Sequence, residues 1–298
     1  MNSNTTCGVP LRSSHLLIGV IAWAALATFP ARAQTAGGTP SPVQATARPF
    51  GLNIVGPVML AGSDAAAAAF KQDVLPGINA LVNVRLNEQR PVNDAALLLD
   101  PSKLSLKTAS DVRTYFVGEG AGYRNTLGFN TAGGGVTSGN PLLIFPDASS
   151  SISALGNSAG GRTGQLPLLP GDFVDLGRFA GGTKLDFFLI ADGASGGRNV
   201  FSTDPSVNRD GINHVVAFTY ALPSSPYLII GFEDLYGGGD RDFNDVIFAV
   251  DIGAANIAAL TATPEPVLWL SLLSLLGVVV YVKRRRDQAG VDPAPVAA

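Results

Sequence analysis

Residues 231–248 read GFEDLYGGGDRDFNDVIF, a carboxylate-rich stretch between two apolar segments. The apolar segments, YLIIGF before the acidic residues and VIFAV after them, are typical of β-strands. Glycines at 237–239 allow a tight loop between these strands. The stretch therefore predicts two strands joined by an acidic loop, whose carboxylates suit a metal site, a catalytic pair or a polar turn.

The chain from about residue 103 onward consists of short β-type runs separated by glycine, proline, serine and asparagine. Regular short strands with such turns, and no helices between them, indicate antiparallel rather than parallel sheets. We therefore predict a mainly β protein with an antiparallel β-sandwich or jelly-roll-like domain at 103–253, its core at about 110–252. The predicted strands are LSLKT, VRTYFVG, NTLGFNT, PLLIFPD, DFVDLGRF, KLDFFLIAD, HVVAFTYA, YLIIGFED and DVIFAVDIG.

A small helical or irregular part is predicted at 51–102. Ser63 and Asp64 are suitable cap residues for a helix that runs through AAAAAFKQDVL to Pro76. A second short helical or irregular segment, INALVNVRLNEQ, follows it. Residues 34–50 are small, polar and rich in proline, which predicts a flexible leader.

The N-terminus has the features of a secretory signal peptide. Arg12 precedes an apolar run at 16–29, and Ala31 and Ala33 form a small-x-small pattern before the expected cleavage point. We predict a signal peptide at 1–33, with an uncleaved N-terminal anchor as the alternative.

The C-terminus has the features of a membrane anchor. A linker at 254–266 leads to an apolar run that ends in a basic cluster, which predicts a single transmembrane helix. Because such cations stay cytoplasmic, the tail at 287–298 is expected inside and the upstream chain outside. A buried core helix is the alternative, but it would bury four cations at its end. The helix and cluster span 267–286, the cluster being Lys283, Arg284, Arg285 and Arg286.

The order Pro264-Glu265-Pro266, apolar helix and basic cluster resembles the PEP-CTERM sorting signal of Gram-negative bacteria. The resemblance implies membrane insertion, recognition by an exosortase and processing near the Pro-Glu-Pro, in bacteria that usually make exopolysaccharide. The tail at 287–298 is a departure, because such signals usually end soon after the arginines.

The charge of the part expected to be exported gives no indication of nucleic-acid binding. The chain has 20 cations and 23 anions; residues 1–33 contain two of the cations, and 283–298 contain four cations and two anions. Residues 34–282 therefore keep 14 cations and 21 anions, a net charge of −7. No nucleic acid is expected as a partner. Five of the 21 acids lie between Glu233 and Asp245.

The oxygen-bearing side chains of this loop suit one hard cation. Ca²⁺ takes about six to eight oxygen ligands, so we expect calcium, whereas zinc prefers the His and Cys that the loop lacks. The loop also lacks the sixth-position glycine, the twelfth-position glutamate and the flanking helices of an EF-hand. A polar turn that caps backbone amides and a catalytic carboxylate pair are the alternatives. The predicted ligands are Glu233, Asp234, Asp240, Asp242, Asn244 and Asp245.

Four features, in this order, resemble the bacterial domain-of-unknown-function family 4114. They are GEGAGYRNTLGF at 118–129, FFLIADG at 187–193, His214 in GINHVVAF, and the closing FEDLYGGGDRDFNDV. The resemblance covers about 110–252. It implies an exported, mostly β module of surface and adhesin-like proteins, and it does not imply a particular activity.

The resemblance adds five residues to the candidate site. Glu119 and Arg124 are expected to form an ion pair that holds a loop, with a ligand role as the alternative, and Asn125 lies beside them. Asp192, at a strand end, is a further candidate metal ligand. His214 is expected to be a hydrogen-bonded structural residue rather than a base.

Other enzyme signatures are missing from the sequence. It contains no GxSxG, HExxH or GxxxxGK[ST] motif, and its single cysteine, Cys7, lies in the predicted signal peptide. A secreted hydrolase acting on polysaccharide is the alternative function, because a glycosidase needs only two carboxylates. The pair would combine Glu233 or Asp234 with Asp240 or Asp242.

These features predict an exported protein of the cell envelope or exopolysaccharide matrix that binds Ca²⁺ through its acidic loop and has a structural or adhesive role. Tyr236 and Phe243 suit stacking on a sugar, although Phe243 also suits the core. An extracellular polysaccharide is therefore a candidate partner. The membrane and an exosortase are the other predicted partners.

Overall fold

A computed structural model describes residues 37–87, 89–92, 99–152, 160–220 and 225–262. Its nine strands form two antiparallel sheets, which confirms a mainly β fold with a short helical part. The strands are β1 Ser110–Gly118, β2 Thr126–Asn130, β3 Leu142–Phe145, β4 Phe173–Phe179, β5 Asp186–Ala191, β6 Asn199–Ser202, β7 Val215–Thr219, β8 Tyr227–Phe232 and β9 Val246–Asp251.

The two sheets share one apolar core. The five-stranded sheet has the order β4-β1-β9-β8-β7, and the four-stranded sheet has the order β3-β2-β5-β6. Phe116 and Phe248 of the first sheet pack in this core with Phe145 and Phe187 of the second. Phe116 contacts Phe145 edge to face with ring centroids 6.0 Å apart, an arrangement that aromatic pairs favour.

Helices cover the outer face of the five-stranded sheet. Helix α1 (Ala65–Ala69), a π-helical segment (Phe70–Val74) and helix α2 (Leu75–Arg85) follow one another without a break. Asp64 caps the start, because its side chain accepts a hydrogen bond from the amide of Ala67. Phe70 stacks on Tyr115 of β1 with ring centroids 3.9 Å apart. The central strands are therefore buried on both faces, which explains why YLIIGF and VIFAV are continuous apolar runs.

The helix does not end at Pro76, as the sequence had suggested. Proline lacks an amide hydrogen, and its ring clashes with the carbonyl four residues earlier in a regular α-helix. Here the turn before Pro76 is a wider π turn, in which the Leu75 amide donates to the Phe70 carbonyl. This widening lets the helix continue to Arg85.

Two strand predictions differ from the structure. LSLKT is not a strand: Leu104 and Leu106 are buried, but the segment pairs only through an isolated bridge between Ser105 and Lys184. The alternating apolar residues of this segment are therefore explained by the burial of Leu104 and Leu106, without pairing in a sheet. Strand β6 was not predicted, because its four residues, NVFS, form a sheet edge too short to show a pattern.

The described parts of the predicted leader and linker are packed segments. In the leader, the Ser41 amide donates to the Val58 carbonyl, and the Gln44 side chain also bonds that residue. The linker begins with helix α3 (Ala254–Thr261). In it, Ile257 joins the core, and the side chain of Asn256 accepts hydrogen bonds from the amides of Lys107 and Thr108.

The predicted sorting elements lie outside the described residues. These are the signal peptide at 1–33, the Pro-Glu-Pro at 264–266, the transmembrane helix at 267–286 and the tail at 287–298. Within the described ranges, none of the helices combines the length and the apolar character that a membrane span requires.

The packing of the helical layer predicts a large effect of Phe70. Phe70→Ala removes a wholly buried aromatic side chain and should lower the free energy of unfolding by about 3–5 kcal/mol. Val84→Ala, on an α2 side chain that is 79% exposed, should change it by less than about 0.5 kcal/mol. Urea unfolding measures both variants. Equal small losses would show that the layer is not docked on the sheet.

Candidate metal centre

The acidic loop connects β8 to β9, which are antiparallel neighbours in the sheet. Phe232 and Val246 are the last paired residues, so residues 233–245 leave the sheet at the same end at which they return. Arg241 and Phe243 adopt left-handed backbone conformations, with φ of 62° and 57°. The loop folds back so closely that a Cβ on Gly231 would lie 2.3 Å from the Phe243 carbonyl oxygen. Glycine is therefore required at position 231.

Three carboxylates of this loop converge. One oxygen each from Glu233, Asp240 and Asp242 lies within 4.8 Å of the other two. A Ca²⁺ ion holds oxygens at about 2.3–2.6 Å, so two of its ligands are at most about 5 Å apart. The three oxygens thus have the spacing of ligands that share one calcium ion.

Glu233 has the least favourable environment of the three converging carboxylates. Its side chain is only 2% exposed, and its Oε2 atom has no hydrogen-bond partner among the described residues. Leaving a buried charged oxygen unpaired is costly, so the geometry favours a cation or a proton at this position. Gly239 makes the placement possible, because a Cβ there would lie 2.0 Å from Glu233 Oε1.

Asp242 joins the loop to the chain segment that follows α2. Its Oδ2 accepts a 2.8 Å hydrogen bond from the Gln89 amide, and its Oδ1 accepts one from the Asn244 amide. Nearby, the Val92 amide donates to the Arg241 carbonyl. Each bonded carboxylate oxygen keeps a second lone pair for a metal. The loop is therefore held from both sides by backbone donors.

Burial and mutual repulsion raise the pKa values of Glu233, Asp242 and Asp245. Burial, followed by the charges of Asp240, Asp242 and Asp234, raises the pKa of Glu233 to about 7. Burial also raises the pKa of Asp242, with a further contribution from Asp240. For Asp245, burial and the charge of Asp234 raise the pKa to about 9. A bound divalent cation would reverse these shifts, because it stabilises the ionised forms.

Arg241 does not neutralise the cluster. Its side chain is exposed, and within the described ranges it forms no salt bridge. The only cation of the acidic loop is thus left in solvent.

Asp234 and Asp245 form a second group beside the three converging carboxylates. The Asp234 amide donates to Asp245 Oδ2, and Asp234 Oδ2 accepts a 2.7 Å bond from the Asn125 side chain. The Asn125 Oδ1 atom accepts from the Asp192 amide, and Asp192 Oδ1 accepts from the Arg124 amide. Asn125, in the motif at 118–129, therefore connects the acidic loop with the motif at 187–193 through hydrogen bonds. Asn244, the remaining predicted ligand, accepts at its carbonyl from the Gly120 amide.

The structure pairs Arg124 with a residue that the sequence did not single out. Arg124 forms its salt bridge with Asp147, which is buried just after β3, and not with Glu119 as expected. Glu119 instead accepts hydrogen bonds from the amides of Ala121 and Ser150. Burial raises the pKa of Glu119 to about 7. The position of Asp147 at a strand end was the signal available in the sequence.

His214 lies behind the acidic loop. Its ring stacks on Phe201 with centroids 3.8 Å apart, and its Nδ1 is 3.2 Å from the Glu233 carbonyl oxygen. Its Nε2 is 2.8 Å from Asp210 Oδ2, which also accepts from the Gly237 amide. Asp210, four residues before His214, was missed because an isolated aspartate after an arginine carries no pattern. The ring therefore contacts the start of the loop directly, at Glu233, and its middle, at Gly237, through Asp210.

The two aromatic residues of the loop have different environments. Phe243 is 7% exposed and packs with the helical layer, so it belongs to the core. Tyr236 is 59% exposed, and the neighbouring Leu235 is 44% exposed. Of the two predicted stacking residues, only Tyr236 is available to a ligand.

The acidic loop lies within a region that matches a protein family. Residues 179–253 match the family described as Domain of unknown function (DUF4114). The domain part of the predicted resemblance is thereby supported. The match includes β5 to β9 and the whole acidic loop, whereas the first motif, at 118–129, lies before it. Neither a curated protein nor a solved structure matches the chain.

The raised pKa of Glu233 predicts a pH-dependent stability in the metal-free protein. The pKa of Glu233 is near 4.5 in the unfolded state and near 7 in the folded state, so the folded state stays protonated to higher pH. The free energy of unfolding should therefore fall as pH rises between these values. Urea unfolding in chelator at pH 5 to 8 measures this decline.

Two variants isolate the contribution of Glu233. Glu233→Gln keeps the shape but cannot ionise, so it should make the decline shallower. Glu119 and Asp245, whose pKa values are also raised, account for the remaining decline. Asp111→Asn, on a side chain that is 59% exposed, should leave the decline unchanged. An equally steep decline in Glu233→Gln would contradict the assignment.

Proposed function

We propose that this protein is an exported β-sandwich module of the cell envelope or extracellular matrix, whose acidic loop binds Ca²⁺ and thereby stabilises the fold. The observation that carries the proposal is the convergence of the Glu233, Asp240 and Asp242 carboxylates, together with a buried Glu233 Oε2 that has no hydrogen-bond partner among the described residues. The metal would neutralise carboxylates that otherwise repel one another. Its function would be structural or adhesive.

Calcium suits the site better than other divalent ions. The donors are all oxygens and the loop contains no histidine or cysteine, which disfavours zinc. Mg²⁺ requires near-ideal octahedral geometry at about 2.0–2.1 Å, whereas Ca²⁺ accepts irregular geometry and longer distances. An irregular loop with carboxylates at different depths favours the larger ion.

The export part of the proposal rests on the sequence. The signal-peptide features at 1–33 and the Pro-Glu-Pro, apolar and basic elements at 264–286 support transport across the inner membrane and sorting by an exosortase. The net charge of −7 and the absence of cysteine from 34–282 suit a stable extracellular module that relies on its core and on a metal.

A polysaccharide hydrolase is the second candidate, and one observation favours it. The pKa of Glu233 is raised to about 7, the range in which a carboxylic acid can act as a general acid at neutral pH. A catalytic role would require Glu233 and a second carboxylate to reach the substrate together. This candidate would be established if the protein hydrolysed a polysaccharide without calcium, and if Glu233→Gln lost that activity while keeping the fold.

Calcium should raise the thermal stability of the protein. A ligand that binds only the folded state stabilises it by about 2.7 kcal/mol at 100 times its Kd, or roughly 5–10 °C in Tm for a domain of this size. Thermal unfolding during a calcium titration measures the rise, and a chelator should reverse it.

Matched asparagine variants locate the calcium site. Asp240→Asn and Asp242→Asn should each abolish most of the rise. Asp111→Asn and Asp100→Asn, which change acids of exposed ion pairs elsewhere, should keep it. A Tm that calcium leaves unchanged in the unaltered protein would overturn the proposal.

Export should leave a processed N-terminus. Fractionation of the producing cells, followed by N-terminal sequencing, should find a mature protein that begins at Gln34 outside the cytoplasm. Ala33→Arg should block processing, because cleavage requires a small residue there, while Ala36→Arg should not. Recovery of the unaltered protein from the cytoplasm with residues 1–33 intact would contradict export.

A further inference from the structure

We propose that the calcium bound at Glu233, Asp240 and Asp242 presents open coordination positions to the vicinal hydroxyl groups of a neutral glycan, whose ring stacks on Tyr236. The inference rests on the proposed function and specifies the ligand of the same site. Three features carry it: the uneven depth of the three carboxylates, the exposed aromatic residue in their loop, and the charge of the site.

The three carboxylates lie at different depths below the protein surface. Glu233 and Asp242 are each 2% exposed and form the buried floor of the site, whereas Asp240 is exposed and forms its rim. Calcium takes about six to eight oxygens, whereas three carboxylates that contribute one converging oxygen each supply three. The remaining positions would lie on the side of the exposed Asp240, where water or hydroxyl groups can enter.

An exposed aromatic residue belongs to the same loop as the open side. Tyr236 lies between Glu233 and Asp240 in the chain and is 59% exposed, although large aromatic side chains are usually buried. A second tyrosine, Tyr123, is 44% exposed in the loop between β1 and β2. The same loop contains Asn125, whose side chain donates a hydrogen bond to Asp234. Tyrosine rings are enriched at binding surfaces, because they combine a large apolar face with a polar end.

The charge of the site selects a neutral ligand. A divalent cation offsets two of the three negative charges of the trio, and Asp234 and Asp245 lie directly beside it. The site therefore stays negative after calcium binds and repels carboxylate- or phosphate-bearing ligands. Hydroxyl groups are the remaining hard oxygen donors that can replace water on Ca²⁺. Two adjacent hydroxyls on one sugar ring supply two such donors with little loss of entropy.

Immobilised mannan, galactan and glucan provide the test, with the full mature chain in calcium or in chelator. Binding to at least one of them should require calcium. It should disappear when the same polysaccharide has first been treated with periodate, which breaks the carbon–carbon bond between vicinal hydroxyl groups and opens the ring, and then with borohydride, which reduces the resulting aldehydes to alcohols. Alginate, a polyuronate, serves as the carboxylate-bearing comparison. Calcium binding is measured separately by calorimetry on the same samples.

Substitutions separate the glycan from the metal. Tyr236→Ala should weaken glycan binding by about tenfold and leave the calcium Kd unchanged, because Tyr236 supplies only ring contacts. Phe50→Ala, on an aromatic side chain that is 43% exposed away from the acidic loop, should change neither. Asp240→Asn should abolish both.

Each contrary result has a distinct meaning. Absence of calcium binding overturns the proposed function and, with it, this inference. Normal calcium binding without calcium-dependent binding to any of the three neutral polysaccharides overturns the inference alone. So does binding that survives periodate treatment, binding confined to alginate, or full glycan binding by Tyr236→Ala.

Discussion

The electrostatic repulsion among Glu233, Asp240 and Asp242 is the constraint on which the site depends. Their oxygens lie within 4.8 Å of one another, and two of the three side chains are almost inaccessible to water. Ionised carboxylates at such distances in a dry environment destabilise the fold unless a proton or a cation intervenes. The hydrogen bonds from Gln89 and Asn244 help Asp242 only, so the Glu233 oxygen is the point at which this cost is concentrated.

The same loop connects otherwise separate parts of the molecule. Asp242 and Arg241 bond the segment that follows α2, while Asn244 and Asp234 bond the loop after β1. Neutralising the carboxylates would therefore stabilise the attachment of the helical layer as well as the loop. This arrangement explains why a motif at 118–129 and another at 233–245, far apart in sequence, occur together: they are held against one another at one end of the sandwich.

Much of the fold could be predicted from the sequence, because burial leaves a pattern in each strand. YLIIGF and VIFAV could be predicted as strands, because burial on both faces of their sheet leaves continuous apolar runs. Asp64 could be predicted as a helix cap, because it precedes an alanine run and its side chain is an acceptor. The continuation of the helix past Pro76 could not be predicted, because the π turn that accommodates the proline has no recognisable sequence pattern. Strand β6 is defined only by its pairing with β5.

The site was predictable in composition but not in geometry. The spacing of the polar residues alone predicted one set of metal ligands: Glu233, Asp234, Asp240, Asp242, Asn244 and Asp245. The structure draws three of them together and directs Asp234 toward Asn125. Left-handed residues at 241 and 243 turn the backbone between the successive acids at 240, 242 and 245. Arg124 likewise reached Asp147 rather than Glu119, since only the folded chain brings the end of β3 beside it. Such long-range pairings depend on topology, which local sequence does not encode.

The depth of the carboxylates also bears on the choice between binding and catalysis. A glycosidase places two carboxyl groups on either side of a scissile bond, so both must contact the substrate. Here Asp240 is exposed, but Glu233 and Asp242 are buried beneath it. Under the proposed function, a sugar that approaches the loop would meet one carboxylate and the exposed side of an ion held by the other two. The burial of Glu233 and Asp242 therefore favours the proposed binding role over the proposed hydrolase.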